Sequence, residues 1–181
     1  MQKKFSVRDL CYISLFATLI SVSGYIYIPL PFSTVPVTAQ TLAVMLAGSL
    51  LPVGHAAASV LIFLLMGAIG LPVFSGGAAG LGIIIGKTGG YLIGFLAGAV
   101  FISALKGKRT DFLRLLTVNA VGGILLVYAF GVFWLNYITG LGISQAIVLG
   151  ALPFIPGDIV KIIVAALVTL RLKKHVKLGA D

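Results

Sequence analysis

Apolar runs recur along this chain, at about 8–28, 39–51, 53–69, 88–105, 115–137 and 145–172. A helix needs about 20 apolar residues to cross the hydrocarbon of a bilayer. Hydrocarbon offers no partner to an unpaired backbone group, so such runs close their own hydrogen bonds as helices. The pattern predicts an all-α membrane protein of six transmembrane helices, one domain over 1–181. Composition agrees, with 60% hydrophobic and only 9% charged residues, where a soluble domain carries about a quarter charged. The run at 39–51 is short for a span, and Pro52 with Gly54 marks a tight turn into the next.

The formal charge of +9 raises nucleic acid as a partner, but the positions of the basic residues exclude it. Lys3, Lys4, Arg8, Lys106, Lys108, Arg109, Arg114, Arg171, Lys173, Lys174 and Lys177 lie at the two ends and in one loop, 11 of the 13 lysines and arginines. An even number of spans puts both termini on one side, and the excess of cations makes that side the cytoplasm of a bacterial cell membrane. Lys87, Lys161 and Asp158 are then the charges of the outer half. A cleavable signal peptide is not expected, because the first apolar run is too long. Cys11 is the single cysteine, which excludes an internal disulfide, a cysteine-rich metal site and a redox pair.

Two outer loops have unusual composition. Residues 29–37 carry Pro29, Pro31 and Pro36, and residues 70–87 carry six glycines with Pro72, Phe74 and Ser75. Glycine-rich backbone permits close approach to a ligand, and non-helical backbone at membrane depth is tolerated around a cavity. Facing these loops is Pro156-Gly157-Asp158-Ile159-Val160-Lys161. Asp158 and Lys161, three residues apart, share a helix face. Ionisable groups in a membrane segment turn toward the protein interior, a cavity or a ligand. Asp158 can accept from N–H donors, Lys161 can donate to a carbonyl or carboxylate, and Lys87 can meet an anionic end. Phe74, Tyr91 and Phe154 offer apolar surface. Against this stand an Asp158–Lys161 ion pair that satisfies only itself and a Lys87 that is only solvated. Ser14, Ala17, Ser21 and Gly24 form a small-residue stripe on the first helix, which accommodates either a helix of this chain or one of another subunit.

Enzyme signatures fail. Gly86-Lys87-Thr88 looks like the end of a phosphate-binding loop, but Leu81 occupies the required glycine. Gly80-Leu81-Gly82 lacks the third glycine of a dinucleotide fingerprint, since position 85 is isoleucine. His55 and His175 are isolated, and no clustered ligand set points to a metal. No cofactor is expected, and uphill transport would need a partner or an ion gradient.

Four segments in order resemble one family: Val35-Pro36-Val37-Thr38-Ala39-Gln40-Thr41-Leu42, Gly70-Leu71-Pro72-Val73-Phe74, Gly86-Lys87-Thr88-Gly89-Gly90-Tyr91-Leu92-Ile93-Gly94-Phe95 and Pro156-Gly157-Asp158-Ile159-Val160-Lys161. They are similar to the BioY family, the biotin-binding S components of energy-coupling factor (ECF) transporters, over about 8–172. The resemblance implies the six-helix ECF S-component fold with extracellular substrate loops and biotin as the transported ligand. It also implies a transmembrane coupling protein and two cytoplasmic ATPase subunits as partners. By the same resemblance Asp158 and Lys161 contact the ureido ring of biotin, and Lys87 is a candidate for its carboxylate. Gln40, Ser75, Gly89, Gly90, Tyr91 and Phe74, in or beside these segments, complete the expected binding set. The family's Ala-x-x-x-Ala docking stripe is matched by Ala17 and Ser21, which puts Ser14, Ala17, Ser21 and Gly24 forward as the partner surface. Three functions compete: a biotin-capture subunit, a self-sufficient secondary transporter, and an intramembrane enzyme for which no catalytic set exists. Within the first, another vitamin is the rival ligand.

Overall fold

A computed structural model describes residues 6–31, 33, 35–107 and 111–173. The expected topological cations Lys3, Lys4, Lys108, Arg109, Lys174 and Lys177, and His175, lie outside them. The helices are α1 (Val7–Ser23), α2 (Gln40–Leu50), α3 (Val53–Ala68), the short α4 (Leu81–Ile84), α5 (Gly89–Leu105), α6 (Phe112–Asn119), α7 (Val127–Thr139), α8 (Ile143–Gly150) and α9 (Ile155–Leu172). A π-helical segment, Ala120–Leu126, joins α6 to α7 without a break. The stretches Phe112–Thr139 and Ile143–Leu172 are long and apolar enough to cross a bilayer, and Gln40–Leu50, Val53–Ala68 and Gly89–Leu105 are shorter apolar helices. The architecture is that of a six-helix membrane protein in which α6 and α7 make one span and α8 and α9 another.

Local chemistry sets the helix ends. Ser6 caps α1: its hydroxyl accepts from the Asp9 amide at 3.2 Å, and the Asp9 carboxylate accepts from the Ser6 amide at 2.9 Å. Where the apolar run predicts a first helix to residue 28, α1 stops at Ser23. Tyr27–Ile28 instead pairs antiparallel with Val37–Thr38, Tyr27 opposite Thr38. The proline loop is thus pinned back as a small ribbon over one end of the bundle. At the opposite end the Lys106 ammonium donates to the carbonyls of Gly48, at 3.0 Å, and Leu51, capping α2 where its carbonyls lack helical partners. The last span is broken at Leu152–Phe154, with Pro153 ahead of Pro156 in the first turn of α9, since proline cannot continue the hydrogen-bond ladder.

Packing centres on α5, which lies against α2, α3 and α7, while α1 packs on α3 and α2 packs on α9. Glycines bring these backbones together. A Cβ at Gly90 would sit 2.3 Å from the Trp134 Cβ, and one at Gly98 would sit 2.3 Å from the Gly122 carbonyl oxygen. The π segment falls where Gly122 meets Ile102 and Gly123 meets Met45, a wide turn of the kind that inserts one residue into a helix. Charge is segregated along the bundle axis. Arg8 begins α1, Lys106 follows α5, Arg114 donates to the Leu105 carbonyl, and Arg171 and Lys173 end α9, all at the end away from the ribbon.

Replacing Gly90 by valine overfills the α5–α7 contact. The expected cost is about 1–3 kcal/mol, read as a lower thermal unfolding midpoint of the purified protein in detergent.

Candidate ligand-binding site

A cavity of about 230 Å³ opens under the ribbon and the glycine loop. Its walls come from five places: the ribbon at 35–38, the start of α2, the loop around Phe74 and Ser75, the first turns of α5, and the junction of α7 with α9. The lining surface is mostly apolar, with polar groups such as Gln40, Thr41, Ser75, Tyr128, Asp158 and Lys161 set into it, the usual make-up of a small-molecule site.

The polar side is built on Asp158. This residue sits in the first turn of α9, where the helix dipole favours a negative charge, and it is only 1% exposed. Its Oδ1 accepts from the Lys161 ammonium at 2.6 Å and from the Thr41 hydroxyl at 3.4 Å. Lys161 also donates to Thr41 at 2.9 Å, closing a triangle between α9 and α2. Oδ2 accepts from the Tyr128 hydroxyl. The ion pair is therefore part of a network spanning three helices, and its lysine end reaches the cavity.

Gln40 and Ser75 tie the glycine loop to α2. The Ser75 hydroxyl donates to Gln40 Oε1 at 3.1 Å, and Gln40 Nε2 donates to the Val73 carbonyl at 3.2 Å. The Phe74 ring stacks edge-on against Phe63, with centroids 5.4 Å apart at 87°. It lies where any side chain at Gly67 would have to go, 2.0 Å from a Cβ built there. Tyr91 lends its ring to the wall, and its hydroxyl donates to the Gly150 carbonyl at 2.7 Å.

Asp158, Lys161, Tyr91, Phe74, Ser75 and Gln40, expected at the site from sequence, all line this cavity. Three others do not. Lys87 is exposed and outside the lining. Gly89 and Gly90 are buried in helix packing, against the Ile84 carbonyl and Trp134; they admit the neighbouring backbone, not a ligand. The stripe on α1 is likewise turned inward at Ala17, Ser21 and Gly24, which are buried, and only Ser14 lies on the exposed face, with Thr18 one turn on. Gly24 abuts the Gln40 amide, 2.8 Å from a built Cβ, so Ala17, Ser21 and Gly24 face the interior of this chain.

Thr41 and Tyr128 were not among the expected residues. Thr41 lay inside a quoted segment, one position after Gln40. Tyr128 had a subtler signal: it follows the pair Gly122-Gly123 by about one and a half turns, and the π segment between them shifts the face it presents.

Comparison with known proteins places this geometry. A model of the BioY family matches residues 1–178. The chain is 42% identical over 172 residues to the biotin transporter BioY of Rhizobium etli, covering 90% of this chain and 91% of that one. It is 40% identical over 168 residues to the biotin transporter BioY of Thermotoga maritima, covering 93% and 97%. A crystal structure of the S component for biotin from an ECF-type ABC transporter superposes with a TM-score of 0.88 at 30% identity, over 94% of this chain and 93% of that one.

Removing one partner of the buried pair strands the other. Lys161→Met leaves Asp158 uncompensated and is expected to cost about 3–5 kcal/mol; adding Asp158→Leu recovers part of that loss, as measured by unfolding of the two variants side by side.

Proposed function

The chain belongs to the BioY family, and on that premise we propose that it is the substrate-capture subunit of an ECF-type vitamin transporter, with biotin as its ligand. The observation that carries the reading is the Asp158–Lys161–Thr41 triangle at one side of an apolar cavity. A cyclic urea offers N–H donors and a carbonyl acceptor at one edge of an otherwise apolar ring system. Lys161 has three protons, of which Asp158 and Thr41 take two, so the third serves the ligand carbonyl. The carboxylate supplies negative charge for the N–H side. Phe74, Tyr91, Phe95 and Phe154 enclose the thioether ring and alkyl chain, and Gln40 with Ser75 sets the loop that closes over them.

The cavity end faces outward and both termini lie in the cytoplasm. The segregation of Arg8, Lys106, Arg114, Arg171 and Lys173 to the opposite end supports this orientation by the positive-inside rule. Energy comes from partners, a transmembrane coupling protein and two cytoplasmic ATPase subunits, and the coupling protein docks on the exposed face of α1 at Ser14 and Thr18. This replaces the inward-facing stripe as the docking register. Lys87, exposed beside the cavity loop, takes no part in holding the ligand in this arrangement.

Two measurements test this. Asp158→Asn should weaken biotin binding by about tenfold or more in a calorimetric titration, with the protein still folded in detergent; unchanged affinity rejects the assigned role. In proteoliposomes, biotin should accumulate only with the coupling protein, the ATPases and ATP. Ser14→Phe with Thr18→Phe should abolish that uptake and leave binding intact. Accumulation by this chain alone under a proton gradient would favour the self-sufficient transporter.

A further inference from the structure

Three cations meet at the end of the bundle away from the cavity. Lys106 follows α5, Arg114 lies in the first turn of α6, and Lys173 ends α9. The Arg114 guanidinium folds back toward Lys106: its Nε donates to the Leu105 carbonyl at 3.0 Å, and its Cζ lies 2.6 Å from a Cβ built at Gly107. Burial, and then the charge of nearby Lys173, push the Lys106 ammonium down to about 7. Burial lowers Lys173 as well. Like charges so placed repel one another, and an anion between them would reverse that. Neither Lys106 nor Arg114 meets a carboxylate in an ion pair among the described residues, where those pairs are Asp9 with His55 and Asp158 with Lys161. Asp111 is the nearest acid in sequence, and its carboxylate accepts from the Arg114 amide at 3.0 Å as the cap of α6. Donors are left over. Lys106 gives two of its three protons to the carbonyls of Gly48 and Leu51, and Arg114 gives one of its five side-chain N–H groups to Leu105. Each cation also follows an exposed leucine: Leu105, Leu113 and Leu172.

We propose that Lys106, Arg114 and Lys173 hold the phosphate of an anionic phospholipid, whose acyl chains lie against Leu105, Leu113 and Leu172. A basic pocket between membrane helices is a recognised form of headgroup site, and a guanidinium suits a phosphate by its paired N–H groups. A free phosphate would use the same donors, but it would leave the leucines uncovered; the amphiphile accounts for both. The bound headgroup ties the ends of α5, α6 and α9 together at the membrane surface. Because Lys106 also caps α2, the lipid acts on four helices through one charge cluster. The site is separate from the cavity and holds whatever ligand the cavity takes.

The test titrates the full chain in detergent with phosphatidylglycerol, phosphatidylcholine and inorganic phosphate, reading bound lipid by native mass spectrometry and stability by the unfolding midpoint. Wild type should retain phosphatidylglycerol about tenfold more tightly than phosphatidylcholine. Arg114→Gln with Lys173→Gln leaves the Lys106 cap of α2 in place and should weaken phosphatidylglycerol by about tenfold to thirtyfold, with phosphatidylcholine unchanged. Arg8→Gln with Arg171→Gln removes the same charge from the same end of the bundle and should cost about twofold or less. Equal losses in the two pairs mean diffuse attraction to basic ends and overturn the site. Equal retention of the two lipids by wild type overturns it as well. A midpoint raised by inorganic phosphate as far as by phosphatidylglycerol overturns the lipid in favour of a free anion. If the double variant does not fold, Arg114→Gln alone, at an exposed position, replaces it; a loss of about fivefold supports the proposal, and no loss overturns it.

Discussion

A carboxylate held inside a membrane bundle imposes the rest of this architecture. Asp158 cannot stay ionised in hydrocarbon without partners. It finds them on three helices: Lys161 on its own α9, Thr41 on α2 and Tyr128 on α7. Each of those helices must present the right residue at the same height. The first turn of α9 adds the favourable end of a helix dipole. Breaking the last span at Pro153 and Pro156 creates that helix start at the depth where the charge is needed.

Close backbone approach is the second condition. Gly90, Gly94 and Gly98 bring α5 against α7 and the π segment, with built Cβ atoms 2.3–2.8 Å from the facing atoms. In a membrane such contact replaces the hydrophobic drive that holds soluble helices together. It also places Tyr91, Leu92 and Phe95 along one cavity wall. Packing and site are thus made by alternate faces of one helix.

Hydrogen bonds and ring contacts hold the described residues of the two outer loops. Tyr25 donates to the Pro72 carbonyl at 2.5 Å, Gly76 donates to the Gly24 carbonyl at 2.9 Å, and Ser75 donates to Gln40. Gly76 and Gly77 take φ of 67° and 80° beneath the rings of Tyr27 and Tyr25, angles open to glycine. The ribbon and the glycine loop therefore form one cover, anchored to the start of α2. The reading of these loops as walls around the Asp158 pair required the carboxylate to lie near Phe74 and Ser75, and all three line one cavity.

Hydropathy, the prolines and glycines, and the segregation of Lys and Arg were enough to specify a helical membrane protein with its odd charges at one end, because bilayer physics acts on composition over whole segments. The Asp158–Lys161 pair was legible too, since a three-residue spacing on a helix is local. What the sequence left open depends on distance along the chain. Thr41 and Asp158 are 117 residues apart and Tyr128 and Asp158 are 30 apart, and no local period links them. Gly89 and Gly90 read as ligand contacts but serve Ile84 and Trp134, because a glycine records only that something comes close, not what. The same limit applies to the stripe on α1, whose small residues fit equally a helix of this chain or of a partner. Only the folded bundle shows that Ala17, Ser21 and Gly24 turn inward while Ser14 stays exposed.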